Sequence, residues 1–270
     1  MSLVAVVGNF ACDRIDGGAP QPGGCPFFAG LAFRMLGREG QILTRCADAD
    51  RALFDDAVAA LGVPVTVLSG RSTSGFDHFY DGELRTTHMT RIGDPWTPAD
   101  AAQLDPAVTW VHVAPMSRSD FPPETLAALA GGGRRLSFDG QGLVRAPRLG
   151  LLAEDASFDP RLLEPVSVLK LSEEEARIVA AGTFDAGTAR TLGVPEILVT
   201  LGSRGEVVWV DGEATHVPTT PVLGVETTGA GDAFMVGYST ARSEGASPSE
   251  AAREGSALVA RMLAERKRAG

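Results

Sequence analysis

Lysine is almost absent from this sequence: of 24 basic residues, only Lys170 and Lys267 are lysines. Neither follows a glycine-rich loop, so the G-x-x-x-x-G-K-[ST] phosphate loop is missing. Any phosphate must then be held by another route, such as backbone amides, a metal or arginine. Positive charge as a whole is scarce, with a formal net charge of -10. A general nucleic-acid binder needs a basic face to displace counterions, so that class is excluded. Cysteine is also sparse. Cys12, Cys25 and Cys46 are odd in number and show no C-x-x-C spacing, which argues against a disulfide framework and a zinc site and for a reducing compartment. No apolar run approaches the roughly 18–20 residues of a membrane span. The opening MSLVAVVGNF has no basic leader and no cleavage pattern, so it is expected to be a buried strand and not a signal peptide. A cytoplasmic protein without membrane or nucleic-acid partners is the resulting expectation.

What the sequence does have is an ordinary globular balance, 44% hydrophobic and 21% charged residues, in a length sufficient for one large α/β domain or two ordinary ones. Short apolar runs alternate with amphipathic stretches. Strands are expected at Leu3–Val7, Gln41–Cys46, Val65–Leu68, Val108–Val113, Arg135–Phe138, Val166–Lys170, Ile197–Thr200 and around Val222–Val225. Helices are expected at Pro26–Leu36, Arg51–Leu61 (capped by Asp48 or Asp50), Thr97 onward, Glu124–Leu129, Glu173–Ala181, Asp232–Arg242 and Pro248–Arg266. Ser247 and Glu250 make a capping box for the last of these. Two hairpins interrupt the alternation. One turns at Asp81-Gly82; the other, Glu206–Val210 with Thr215–Val217, turns at Asp211-Gly212. Repeated strand–helix alternation implies a mostly parallel sheet with helices on both faces. The segment Asp13–Gly24 and the first hairpin fall outside it and could form a small β lid.

In an open α/β sheet, ligands bind beyond the carboxyl ends of the strands, so the segments there carry the chemistry. The sharpest is Glu226-Thr227-Thr228-Gly229-Ala230-Gly231-Asp232. Amides of Gly229, Ala230 and Gly231 at a helix start would form an anion hole, with the Asp232 carboxylate beside it. That pairing suits phosphoryl transfer: amides stabilise charge, and the carboxylate takes a hydroxyl proton. Taken alone, a G-x-G-D segment is more often a cap and a turn. Phe234 stands where a dinucleotide fingerprint needs its third glycine, so that reading fails. Thr200-Leu201-Gly202-Ser203-Arg204-Gly205 could wrap phosphates, or simply lead into the hairpin. Lys170-Leu171-Ser172-Glu173-Glu174-Glu175 is by itself a capping box. Gly23-Gly24-Cys25-Pro26 could admit a substrate close to the backbone, or only start a helix.

Together and in this order, these segments resemble the ribokinase-like (PfkB) carbohydrate kinases, over nearly the whole chain from about Gly8 to the last helix. E-T-T-G-A-G-D resembles the family's D-T-x-G-A-G-D signature, GGCPFFAGLAFRMLG its first signature, TLGSRG its nucleotide loop and KLSEEEA its N-x-x-E segment. The resemblance implies one three-layer α/β/α ribokinase-like domain over residues 1–270. It would have a mostly parallel central sheet and a small β lid from segments near 13–24 and 74–92. It further implies ATP and Mg²⁺ as cofactors, Asp232 as catalytic base, and Gly229, Ala230 and Gly231 as anion hole. Lys170, Thr200, Gly202, Ser203 and Gly205 would attend the nucleotide, and Glu175 would organise the metal. Asp13 would bind a substrate hydroxyl, and Gly24 would lie against the substrate.

Departures from the pattern narrow the acceptor. Phe28 replaces an asparagine that usually contacts a sugar hydroxyl, which argues against ribose. Ser172 replaces the asparagine of N-x-x-E. Glu226 replaces an aspartate that helps hold a monovalent cation in several members, so potassium activation is not implied. D-G-Q-G-L-V-R over Asp139–Arg145, and the hairpin carrying Phe76, Tyr80 and Arg85, resemble the myo-inositol kinase-like subgroup, which would bring Arg145 to phosphate or substrate. The expected reaction is ATP-dependent phosphorylation of a sugar or cyclitol hydroxyl. A nucleoside or vitamin kinase on the same scaffold and a catalytically idle metabolite-binding paralogue remain open. Unpaired edges of a lid sheet make a homodimer a reasonable expectation.

Overall fold

The computed structural model describes residues 3–82 and 84–269. Its first strand, β1 (Leu3–Asn9), leads through β2 (Ala11–Ile15) and β3 (Gln21–Gly23) into helix α1 (Cys25–Leu36), then β4 (Gly40–Ala47), α2 (Arg51–Leu61) and β5 (Val65–Gly70). The hairpin β6 (Ser74–Asp81) and β7 (Leu84–Arg91) follows, then β8 (Val108–Val113), α3 (Pro123–Leu129), β9 (Arg135–Asp139), the single turn α4 (Gln141–Val144) and the short β10 (Gly150–Leu151). The C-terminal half runs β11 (Val168–Ser172), α5 (Glu173–Val179), α6 (Ala186–Leu192), β12 (Glu196–Thr200), β13 (Glu206–Val210), β14 (Glu213–Val217), α7 (Ala230–Ser243) and α8 (Pro248–Ala269).

Nine strands form one sheet in the order β14-β13-β12-β11-β9-β8-β1-β4-β5. From β12 to β5 every neighbouring pair is parallel; β13 and β14 form an antiparallel hairpin, and β13 also pairs antiparallel with β12. Successive strand residues point to opposite faces, as the two-residue period of a strand requires. Val4 and Val6 pack with α1, α7 and α8 through Phe33, Met235 and Leu258. Ala5 and Val7 belong to the opposite core with Leu126 of α3, Ala176 of α5 and Ala189 of α6. Strands buried on both faces explain why their sequences read as unbroken apolar runs. The result is the expected three layers, α/β/α.

The lid is a second sheet of five strands, β10-β7-β6-β2-β3. It is larger than the two segments around 13–24 and 74–92 suggested, because β10 adds to β7 through Leu151 opposite His88. No helix among the described residues is long and apolar enough to cross a membrane.

Several expected elements shift. The strand around Val222–Val225 is not formed. Pro221 cannot donate to a ladder and Gly224 takes φ 70°, while Val222 and Val225 pack on the apolar core without pairing to a strand. Neither Asp48 nor Asp50 caps α2 with its side chain; a short 3-10 turn over Asp48–Asp50 runs directly into the helix. The α6 helix, capped by Asp185 accepting from the Thr188 amide at 2.8 Å, had not been anticipated.

Candidate active site

The parallel strands deliver their carboxyl ends to one edge of the sheet, under the lid. At that edge Lys170 of β11 lies in register with Asp139 of β9. Lys170 Nζ is 3.2 Å from Asp139 Oδ2, and both side chains are almost fully buried. Burial opposes the Lys170 charge, but Asp139, Glu175 and Asp232 outweigh it and hold the ammonium above its ordinary pKa. Lys170 is therefore a fixed cation. It lies beside the start of α7, where a Cβ built on Gly231 would stand 3.4 Å from Nζ.

The turn into α7 has the conformation its glycines permit. Gly229 is left-handed at φ 79°, and a Cβ there would meet the Phe28 ring at 2.5 Å. Phe28 is thus a wall pressed against the turn. The Ala230 amide donates to Thr227 O at 3.0 Å, so it is already engaged. Among the described residues, the Gly229 and Gly231 amides find no such acceptor. This narrows the expected three-amide hole to those two, with Lys170 beside them. Arg266 of α8 clamps the turn from below by donating to Thr228 O at 2.7 Å and Glu226 O at 3.1 Å. Glu226 accepts from the Thr228 amide at 2.7 Å and pairs with Arg266 at 3.3 Å.

Asp232 sits in the first turn of α7. Burial raises its carboxyl pKa to about 6, against the opposing hydrogen bond from the Cys25 thiol. Cys25, the first residue of α1, is itself buried, and burial together with Asp232 pushes its thiol well above the ordinary value. It is a proton donor to the carboxylate, not a thiolate. Gly24, just before it, adopts φ 93°; a Cβ there would strike Asn9 O at 2.7 Å and Met116 at 2.9 Å.

Asp13 of β2 belongs to the lid side. A Cβ on Gly23 would overlap its carboxylate at 2.0 Å, so this glycine is dictated by the aspartate. Asp13 Oδ1 is buried without a partner among the described residues, and Oδ2 lies 3.9 Å from His78 Nε2. An unsatisfied buried oxygen in a lid over a sheet edge is poised to accept from a ligand.

On the other side of the α7 turn is a slot of about 410 Å³. Thr200, Gly202, Ser203, Gly205, Ala230 and Gly231 line it, together with the apolar Val225, Phe234 and Leu263. Gly205 cannot carry a side chain, because a Cβ would meet Val217 O at 2.2 Å. Arg204 is tied to Glu173 at the head of α5, which holds the loop in place.

Glu175 and Arg145 are placed together, near enough to the α7 turn for Glu175 to act on Lys170 and Arg145 on Asp232. They share a cleft of about 490 Å³ with the lid's Arg85. Glu175 forms the capping box: the Ser172 amide donates to its Oε2 at 2.8 Å, and its own amide donates to Ser172 Oγ at 3.1 Å. Burial raises its pKa. Arg145 Nε is 3.5 Å from Glu154. No cluster of three or more metal-ligating side chains occurs among the described residues.

The sequence reading quoted Asp139 and Cys25 within their segments but gave them no role, and it missed Arg266. The role of Asp139 could have been found, since the ends of neighbouring parallel strands are cross-strand partners. Nothing in the sequence puts Arg266 under the turn.

Residues 153–269 match the model of the pfkB family carbohydrate kinases. The Escherichia coli fructokinase is 29% identical over 245 residues, covering 82% of this chain and 76% of that protein. The chain belongs to the PfkB family. It is a sugar-kinase-type phosphotransferase with an alcohol group as acceptor. An inositol 3-kinase of Zea mays is 33% identical over 184 residues, covering 67% of this chain and 45% of that protein. The fold of this PfkB protein is also that of a pyrophosphate-dependent kinase of the ribokinase family, solved with a pyrophosphate analogue and myo-inositol. That structure aligns at TM-score 0.83 and 23% identity over 97% of this chain and 95% of that one.

Proposed function

We propose that this chain transfers the γ-phosphoryl group of ATP to a hydroxyl of a sugar or cyclitol, with Asp232 as general base. The observation that carries the reading is the position of Asp232. It is one residue from Gly231, which lines the slot, and it touches Cys25, which follows the Gly23-Gly24 pair that backs Asp13. A carboxylate between a donor slot and an acceptor pocket is where an attacking hydroxyl must lose its proton.

The residues divide the work. Thr200, Gly202, Ser203 and Gly205 would hold the nucleotide's phosphates in the slot. The Gly229 and Gly231 amides, with Lys170, would meet the charge that grows on the transferred group. Asp13 Oδ1 would accept from an acceptor hydroxyl, Gly24 would let the acceptor approach the backbone, and Phe28 would give it an apolar wall. Arg145 would reach phosphate or acceptor from the neighbouring cleft. Glu175 would hold waters of a Mg²⁺ that, when bound, neutralises phosphate charge. The lid would exclude water, which keeps the donor from hydrolysis.

A slot of about 410 Å³ beyond the amides supports a nucleotide donor, since pyrophosphate has no base or ribose to fill it. Kinship with fructokinases and inositol 3-kinases supports sugars and cyclitols as acceptors. Exposed Ile15, Phe79 and Tyr80 on the lid support a homodimer formed there. The test is ADP release from MgATP across a panel of sugars, cyclitols and nucleosides, with pyrophosphate as a rival donor. Acceptor-dependent release supports the reading. Transfer from pyrophosphate alone would overturn the assignment of the donor.

A further inference from the structure

Glu206 opens β13 directly behind the glycine that ends the nucleotide loop. Its side chain is 2% exposed and lines the donor slot. One carboxylate oxygen, Oε2, accepts from Ser256 Oγ of α8 at 2.8 Å. The other, Oε1, is buried and has no hydrogen-bond partner among the described residues. Glu206 also forms no ion pair among the described residues. The slot it lines is walled in part by Val222, Val225, Phe234, Val259 and Leu263.

A lone carboxylate in apolar surroundings is costly unless something satisfies it. Burial drives its pKa up to about 7, as expected for an acid without a cation. A side chain needed only to fill this space would be better apolar, since removing both the charge and its unmet bond relieves that cost. Small-molecule slots combine mostly apolar walls with a few placed polar groups, and those groups set orientation and specificity. Glu206 is such a group: ionised, its free oxygen can only accept, and the phosphate oxygens of a donor have no hydrogen to give it.

We propose that Glu206 reads the nucleobase of the donor, its free Oε1 accepting a hydrogen bond from the exocyclic 6-amino group of adenine. This rests on the nucleotide-donor reading above. Ser256 occupies one oxygen, so a single acceptor remains. A 6-amino group needs one acceptor. Guanine would present adjacent N–H groups that favour two oxygens, and a 6-oxo group that would face the carboxylate. Hypoxanthine presents the same 6-oxo oxygen, with only the ring N1–H beside it, so an oxygen aligned on the 6-position would meet an acceptor and hold this base more weakly.

The test compares ATP with ITP as donor, and ADP with IDP in calorimetric binding, for the wild type, Glu206→Gln and Glu206→Leu. The wild type should prefer ATP by about ten- to hundredfold in kcat/KM, the value of one buried hydrogen bond to a charged group. Glu206→Leu should erase the preference. Glu206→Gln should shift it toward ITP, because the amide can donate to the 6-oxo oxygen. In all three the acceptor KM should stay unchanged. A wild type that uses ATP and ITP equally overturns the proposal without needing any variant. So does an ATP preference that survives both substitutions in proteins whose melting shows them folded, and in that case the kinase reading stands. Transfer from pyrophosphate but from no nucleoside triphosphate overturns both.

Discussion

Asp232 is hard to ionise because its half-buried carboxylate is poorly hydrated, yet a general base must be ionised to work. With its pKa raised to about 6, activity should fall about tenfold per pH unit below 6 and level off above it. A kcat–pH profile measures this, and a flat profile between pH 5 and 8 would contradict it. Asp232→Asn should lower kcat by about 10²–10⁴-fold, the range for a lost general base, while leaving nucleotide affinity nearly intact. Asp120 offers an independent check on burial, away from the reacting groups. Burial lifts its pKa to about 6, partly offset by bonds from Met116, Ser117 and Asn9. The sign follows from linkage. A carboxyl whose folded pKa lies above its unfolded value contributes stability that is complete below about pH 4 and is lost as pH rises through 6. Wild type should therefore lose about 2 kcal/mol of stability relative to Asp120→Asn between pH 4 and pH 7. Urea unfolding at the two pH values reads the difference; a constant gap would mean that Asp120 ionises normally.

The loop from Leu223 to Gly229 and the helix beneath it act as one element. Arg266 holds two carbonyls of the turn and Lys267 donates to Leu223 O at 3.0 Å. Arg266→Ala should raise the donor KM about fivefold, the value of roughly 1 kcal/mol of lost hydrogen bonding, with the acceptor KM unmoved. A rise in the acceptor KM alone would refute that role. Gly229→Ala should do more, since it requires φ 79° and puts a methyl into the Phe28 ring; steady-state kinetics and a thermal melt would show lost turnover in a protein that still folds. Elements of this kind were only partly legible in the sequence. The glycines and the aspartate declared the turn, because few other residues tolerate such conformations. The apolar run Val222–Val225 suggested a strand, yet its residues pack beside α8. Hydrophobicity signals burial and does not say whether a neighbouring strand exists to pair with.

At the scale of the whole molecule, β–α alternation is written in the residue periods, and so the parallel sheet and its helical layers could be read from sequence. The lid could be read only as an interruption of that pattern. Its fifth strand, β10, spans two residues and carries no periodic signal. The site was legible where one segment holds several chemical groups, as at Gly229–Asp232. It was hidden where groups meet across distant segments. Lys170 finds Asp139 from another strand, Asp232 finds Cys25 from another helix, and Glu206 finds Ser256 from α8. The central claim joins these parts into one reaction, and coupled ADP release is its most direct measurement. With MgATP and a panel of sugars and cyclitols, release should depend on an acceptor and vanish in Asp232→Asn. Acceptor-dependent release that persists in Asp232→Asn would contradict the claim.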